Sequence, residues 1–172
     1  SGAKHLARRL LEESFDISYA YALRFANGLA HSFSQTLVYL DYERRGFGHP
    51  VVPFHVNCYG SAVIQSRGGG AHLEDERDSE INPPAPTPRR CFELGGAVAR
   101  VLRDSPWRVV LMASSSWSHA FLTEKNYWLY PDMEADRKRL AELTAGNYPA
   151  WRDLKLSEIE AAGEHEILNW VC

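Results

Sequence analysis

The feature that most constrains the fold is a nearly continuous apolar run at residues 107–113, Trp-Arg-Val-Val-Leu-Met-Ala. Such a run is typical of a central strand that is covered on both faces, because a half-exposed strand alternates apolar and polar residues. Shorter runs at residues 16–21 and 51–56 also predict strands, and Pro53 confines the second to an edge or a bulge. We therefore expect a sheet with residues 107–113 at its centre.

Helices are predicted between these strands, where apolar residues recur at helical spacing. A capping box formed by Ser157 and Glu160 predicts the start of the last helix. Alternating strands and helices indicate an α/β fold in a single domain, with a mixed or mainly parallel sheet and helices on both faces. The other predicted helices are residues 4–13, 31–42, 92–103 and 132–144.

Residues 65–90 differ in composition from the rest of the chain. They contain three consecutive glycines, a charged stretch and a cluster of prolines. This composition predicts a long loop without a core of its own. A functional lid and a tolerated insertion both remain open for it.

Composition limits the class of partner. A chain of 172 residues is long enough for one sizeable core, and its net charge of −3 gives no general attraction to nucleic acid or to an anionic membrane. No apolar run approaches the ~20 residues of a membrane helix. An odd number of cysteines argues against a disulfide framework and fits a reducing compartment. We therefore expect a cytoplasmic protein.

The run Ser114-Ser115-Ser116-Trp117-Ser118-His119 directly follows the predicted central strand. Ligands of open α/β sheets bind beyond the carboxyl ends of strands, and a histidine there can move a proton near neutral pH. His119 is therefore the leading catalytic candidate, although a histidine hydrogen-bonded within a loop would give the same pattern. A serine nucleophile is not favoured, because the sequence lacks Gly-x-Ser-x-Gly at this turn.

A second candidate lies near the end of the chain, where Glu166 shares neighbouring helix faces with Asn169 and Trp170. Its carboxylate suits a metal ligand or a general acid, and a solvated helix carboxylate is the plainer alternative. Glu164 and His165 are predicted to face water. Asn169 stands where the zinc motif His-Glu-x-x-His requires a second histidine, which argues against a zinc protease.

Five short segments occur in a characteristic order along the chain. They are Phe15-Asp16-Ile17, Leu29-Ala30-His31-Ser32-Phe33, Pro50-Val51-Val52-Pro53-Phe54-His55-Val56-Asn57, Ser115-Ser116-Trp117-Ser118-His119 and Gly163-x-x-Glu166-x-x-Asn169-Trp170. Together they resemble the catalytic β subunit of class III extradiol ring-cleaving dioxygenases, of the protocatechuate 4,5-dioxygenase type. The resemblance extends over essentially the whole chain.

The resemblance implies an activity in aromatic compound catabolism. Members of this family hold Fe(II) through two histidines and one glutamate, which leaves open positions for a catecholic substrate and O₂. The ring opens beside the diol and gives a semialdehyde-type product. By position, His119 corresponds to the acid–base histidine and Glu166 to the metal carboxylate. His31 corresponds to a histidine that lines the substrate pocket, with Ala30 in place of the usual preceding aspartate.

The resemblance also implies that part of the site is missing, because the two iron histidines of the family lie N-terminal to the matched region. Residues 1–172 would then be the C-terminal portion of one catalytic domain, inactive as an isolated segment and part of a homo-oligomer or an α/β hetero-oligomer. A non-catalytic family member or fragment that serves as a structural or partner subunit is the alternative, and a different metal enzyme on the same scaffold is a third possibility. Convergence of His31, His119 and Glu166 on one cleft would favour the dioxygenase.

Overall fold

The computed structural model describes residues 2–17, 30–60 and 84–172. The α-helices in these residues are α1 (Gly2–Glu12), α2 (His31–Leu40), α3 (Pro88–Arg103), α4 (Met133–Thr144), α5 (Tyr148–Arg152), α6 (Leu156–Ala162) and α7 (Ile167–Val171). Two 3₁₀ turns, Ala120–Leu122 and Glu124–Asn126, precede α4. The chain divides into two compact units, the first formed by Ser1–His55 and Gly96–Ser114 and the second by Val56–Gly95 and Ser115–Cys172.

The predicted α/β fold is wrong, because the described residues contain helices and no β-strand. Residues 107–113 and 51–56 are neither helical nor paired in a sheet, and the side chains of Val110 and Leu111 are 82% and 66% exposed. A strand needs a neighbouring backbone to accept and donate its hydrogen bonds, and an apolar run alone does not specify that neighbour. The predicted strand at residues 16–21 lies mostly outside the described residues.

The helical predictions near α1, α2 and α4 are confirmed within a few residues at each end. Helix α3 begins earlier than expected, at Pro88, and proline is well tolerated in the first turn of a helix because its missing N–H would have no partner there. Residues 88–90 of the predicted loop are therefore helical, whereas most of that loop lies outside the described residues. In the part of the chain that is described, no helix combines the length and the apolar character needed to cross a bilayer.

The first unit buries one face of α1 together with residues 96–103 of α3. The guanidinium of Arg100 donates to Oε2 of Glu13 at 2.6 Å and links the end of α1 to α3. Both side chains are partly exposed, so this ion pair contributes little beyond orientation. The buried apolar residues of this unit are Ala7, Leu10, Phe15, Ala97, Val98 and Val101.

The second unit has an apolar core to which the short helices α5, α6 and α7 contribute. Helices of five to seven residues are not stable alone in water, so their packing in this core must hold them. Ile167 and Leu168 of α7 have no exposed surface. The buried members of the core are Cys58, Cys91, Trp151, Leu154, Ile159, Ile167, Leu168 and Val171.

The end of the chain forms two helices with a corner between them. The predicted capping box is misplaced, because α6 begins at Leu156 and the backbone N–H of Lys155 donates to Oε2 of Glu158 at 3.2 Å. Gly163 ends α6 in the left-handed region, with φ of 66°. Glycine adopts this conformation without a Cβ clash, which makes it a common helix terminator.

Gly163 also lies against the turn that follows His119. Its carbonyl accepts from the backbone N–H of His119 at 3.1 Å. A Cβ at Gly163 would lie 2.7 Å from Oγ1 of Thr123 and 3.1 Å from the His119 carbonyl oxygen. Thr123 is fully buried and donates to that same carbonyl at 2.8 Å, so it has little room to move. Local backbone conformation and close packing both require glycine here.

We expect Gly163→Ala to destabilise the chain clearly more than Gly146→Ala does. Both glycines have positive φ, 66° and 67°, so both variants lose roughly 1–2 kcal/mol from the left-handed conformation. A Cβ at Gly146 finds its nearest atom at 3.9 Å, whereas one at Gly163 collides with Thr123. Urea unfolding of the two variants measures the difference, and equal losses would contradict the close packing at Gly163.

Candidate functional site

The structure brings His119 and Glu166 together. Nε2 of His119 lies 3.9 Å from Oε1 of Glu166, and the two side chains are 20% and 22% exposed. His119 immediately precedes the turn Ala120–Leu122, and Glu166 immediately precedes α7. The distance is too long for a hydrogen bond but short enough for electrostatic attraction when the ring is protonated. Both side chains keep part of their surface in contact with solvent.

The ring of His119 is anchored through its other nitrogen. Nδ1 lies 3.2 Å from the carbonyl oxygen of Trp117. With the proton on Nδ1, this nitrogen donates to that carbonyl, and Nε2 carries the basic lone pair on the side of Glu166. The ring also makes an edge-to-face contact with Phe121 at 5.2 Å. The loop therefore holds the imidazole in an orientation suited to proton transfer.

Protein donors hold both carboxylate oxygens of Glu166. The hydroxyl of Tyr59 donates to Oε1 at 2.5 Å, and the backbone N–H of Ser116 donates to Oε2 at 3.1 Å. The hydroxyl of Ser115 donates to the backbone carbonyl of Glu166 at 3.2 Å. Glu166 is thus a fixed, partly buried carboxylate, and the alternative of a freely solvated helix carboxylate does not describe it.

Sequence reasoning did not single out Tyr59. Tyr59 lies in a tight turn. In this turn the backbone N–H of Gly60 donates to Oδ1 of Asn57 at 3.2 Å, and the backbone N–H of Cys58 donates to the Val56 carbonyl at 2.9 Å. Asparagine followed three residues later by glycine is a turn signal that the sequence does contain. Its partner Glu166 is remote in the chain, so no local pattern could have indicated the contact. Burial, and then the hydrogen bond to Glu166, raise the pKa of Tyr59, which keeps the phenol a donor.

Glu164 and His165 do not face water, so that prediction is wrong. Glu164 has no exposed surface and lies in an ion pair with Nε of Arg139 at 3.2 Å. Arg139 also contacts Glu142 through Nη1 at 2.7 Å. His165 is buried, and its ring stacks on that of Tyr59 with centroids 5.9 Å apart. Gly163 ends α6 with a left-handed turn, so Glu164 and His165 do not continue that helix and both are buried.

Burial shifts the pKa values of Glu164 and His165 at this corner. It raises the pKa of Glu164, an effect that the nearby guanidinium of Arg139 opposes. It also lowers the pKa of His165, which favours the neutral ring. For Arg139, burial lowers the pKa but the carboxylates of Glu142 and Glu164 outweigh it and raise the pKa overall, so the guanidinium stays charged. Arg139 is the cation on which the buried carboxylate depends.

Helix α4 anchors both segments of the site. Asp136 accepts from the Ser118 N–H at 3.0 Å and from the Ser118 hydroxyl at 2.8 Å, next to His119. Arg139, three residues later on the same helix face, holds Glu164, two residues before Glu166. The charged groups of Asp136 and Arg139 thus contact the rest of the second unit. They hold the His119 loop and the Glu166 corner to one rigid element.

His31 lies in the first unit, as the exposed first residue of α2. Its expected place in a substrate pocket with His119 stays a prediction.

The residues of the described ranges do not form a complete metal site. No three His, Cys, Asp or Glu side chains among them converge on a point where a metal ion could bind. Glu166 offers one carboxylate, but two protein donors already engage its oxygens. Iron ligation of the kind expected from the family resemblance therefore does not fit these residues alone.

Comparison with known proteins reveals a distant relative. The chain is similar to the 2,3-dihydroxyphenylpropionate/2,3-dihydroxicinnamic acid 1,2-dioxygenase of Photorhabdus laumondii, with 26% identity over 117 residues. The match covers 68% of this chain and 28% of the relative's length. No family model matches the chain, and no solved structure matches it. The chain is thus distantly related to a dioxygenase whose substrates carry an aromatic diol.

We expect Arg139→Met to cost roughly 3–5 kcal/mol of unfolding free energy near neutral pH, because it leaves the Glu164 carboxylate buried without its cation. Loss of the guanidinium raises the folded-state pKa of Glu164 further above its unfolded value. Because the folded state then binds this proton more tightly than the unfolded state, the shift stabilises the folded state at pH values below the unfolded-state pKa. The stabilisation is lost as the pH rises through the folded-state pKa. The penalty should therefore shrink as the pH falls from 7 towards about 4.

Denaturant unfolding at several pH values measures this effect. Arg137→Met is the matched control, because Arg137 is an exposed arginine on the same helix, and this variant should change stability little. A penalty for Arg139→Met that is independent of pH would contradict the role assigned to Glu164.

Proposed function

We propose that this chain carries part of the active site of an Fe(II)-dependent extradiol dioxygenase, which opens a catecholic ring with O₂ to a semialdehyde-type product. The observation that carries the proposal is the proximity of His119 and Glu166. Each residue belongs to a different motif, and the two motifs are distant in the sequence. Nε2 of His119 nevertheless lies 3.9 Å from Oε1 of Glu166. Unrelated surface residues would not be expected to meet in this way.

The name of the relative indicates which ring bond is cleaved. Its substrates carry hydroxyls at ring positions 2 and 3, and its name assigns dioxygenation to positions 1 and 2. The bond between positions 1 and 2 lies beside the diol and not between its two oxygens. We extend this extradiol chemistry to the present chain as part of the proposal.

His119 is the acid–base residue in this proposal. Nε2 takes a proton from a substrate hydroxyl and later returns it to an oxygen of the opening ring. The contact of Nδ1 with the Trp117 carbonyl keeps the ring in one orientation during both transfers. Groups that transfer protons in this way typically accelerate a reaction by ~10²–10⁴-fold.

Iron, when bound, would supply the coordination of the diol and of O₂. Glu166 is the residue that we assign to it as a ligand, and the two histidines of the family site must come from outside the described residues or from another chain. We also assign His31 to the wall of the substrate pocket. The remaining parts of the proposal are that residues 1–172 are a portion of one catalytic domain, that the protein forms a homo-oligomer or an α/β hetero-oligomer, and that it is cytoplasmic.

The incomplete ligand set among the described residues favours one alternative function, a non-catalytic partner subunit that keeps the fold. The two functions differ in iron content and in oxygen consumption. A protein in its natural full-length form that binds Fe(II) and consumes O₂ with a catechol is an enzyme. One that does neither, in the presence of its natural partners, is a structural or partner subunit.

We expect His119→Ala to lower kcat by ~10²–10⁴-fold in the full-length protein while its iron content stays unchanged. Glu166→Ala should instead lower the iron content. The assay supplies Fe(II), O₂ and a panel of catechols, and follows oxygen uptake and the absorbance of ring-opened products. His49→Ala is the matched control, because His49 is an exposed histidine of the first unit. Full activity of His119→Ala would remove this residue from the mechanism.

A further inference from the structure

We propose that Tyr59 is a positioning residue for Glu166, whose hydroxyl keeps the carboxylate from closing onto His119. The consequence for catalysis rests on the proposed function, whereas the geometric part does not. Tyr59 touches Glu166 and no reacting group that we assign, so it would act through the carboxylate.

Tyr59 contacts the same carboxylate oxygen of Glu166 that lies nearer to His119. The Tyr59 hydroxyl donates to Oε1 at 2.5 Å, and Oε1 is also the oxygen that lies 3.9 Å from Nε2 of His119. A carboxylate held by one donor can still rotate about its terminal bond. Here the N–H of Ser116 holds Oε2 at 3.1 Å, so two donors fix the plane of the group. Short hydrogen bonds to a carboxylate are among the stronger ones in proteins.

Tyr59 is itself held in place. The turn from Asn57 to Gly60 fixes its backbone, and the preceding Cys58 is part of the apolar core of the second unit. The ring stacks on His165 at 5.9 Å with an interplanar angle of 24°. The buried ring of His165, which the proposed reaction does not use, thereby gains a role as a platform for Tyr59.

The arrangement implies what happens without the hydroxyl. Oε1 would lose its donor, and the carboxylate could then rotate about its remaining hydrogen bond from Ser116, towards Nε2 of His119. Moving about 1 Å closer would bring the two groups to hydrogen-bond distance. Nε2 would then be occupied by Glu166 and less available to a substrate hydroxyl. Tyr59 thus keeps Oε1 of Glu166 near Nε2 of His119 without direct contact.

Crystal structures of the wild-type chain and of Tyr59→Phe test the geometric part. Phenylalanine keeps the ring and its stacking on His165 and removes the hydroxyl alone. We expect Oε1 of Glu166 to leave its present position, either to within 3.2 Å of His119 Nε2 or away from both partners. An unchanged carboxylate in Tyr59→Phe overturns the proposal. This test does not depend on any enzymatic activity.

Kinetics of the full-length protein test the catalytic part. Tyr59→Phe should lower kcat by roughly 10–100-fold with little change in KM, the size typical of residues that orient a ligand or a catalytic group. When rates are compared per bound iron, the same substitution in a Glu166→Gln background should cause no further loss, because Tyr59 acts through Glu166. An additional loss in that background overturns the positioning role. Tyr127→Phe removes an exposed hydroxyl and should leave kcat unchanged.

A second variant covers the case in which Tyr59→Phe does not fold. In Glu166→Gln, the amide oxygen can accept from Ser116 N–H, and the amide N–H can donate to the Tyr59 hydroxyl, which also accepts. We expect the glutamine to stay within 3.5 Å of the Tyr59 oxygen in a crystal structure, and a side chain turned away from Tyr59 overturns the proposal. Absence of oxygen uptake by the wild-type protein would refute the proposed function, and the crystal structures would still decide the role of Tyr59.

Discussion

The buried ion pair between Arg139 and Glu164 is the interaction on which the arrangement of the candidate site depends. A carboxylate without exposed surface is costly unless a cation accompanies it, and Arg139 of α4 supplies that cation at 3.2 Å. The pair fixes the corner between α6 and α7 against α4. Glu166 lies two residues after Glu164, directly before α7, so the position of its carboxylate follows from where this corner is held.

The same helix holds the other half of the site, through the two hydrogen bonds from Ser118 to Asp136. A loop and a helix corner that are remote in sequence are thus attached to neighbouring turns of one element. Gly163 completes the contact, because its backbone lies so close to the turn after His119 that a side chain would not fit. Precise placement of a proton carrier beside a carboxylate requires this kind of rigid support.

Particular residues show how far the sequence could be interpreted. His119 and Glu166 could be selected because their types and neighbours indicate chemistry, and the helices near α1, α2 and α4 could be predicted from the spacing of their apolar residues. Tyr59 could not be found, because its importance lies in one hydrogen bond to a distant residue. A continuous last helix predicts that Glu164 and His165 face water, and the turn at Gly163 instead buries both. The α/β fold was inferred from apolar runs whose pairing partners the sequence does not specify.

The sequence by itself determined the local features: which segments can form helices, where glycine permits a left-handed turn, and which side chains are able to transfer a proton or carry a charge. These properties depend on residues within a few positions of one another. The tertiary structure decided which of those side chains meet. It placed Tyr59, His119 and Glu166 in one cluster and buried Glu164 against Arg139, because contacts between remote segments arise from packing and burial, which no local pattern specifies.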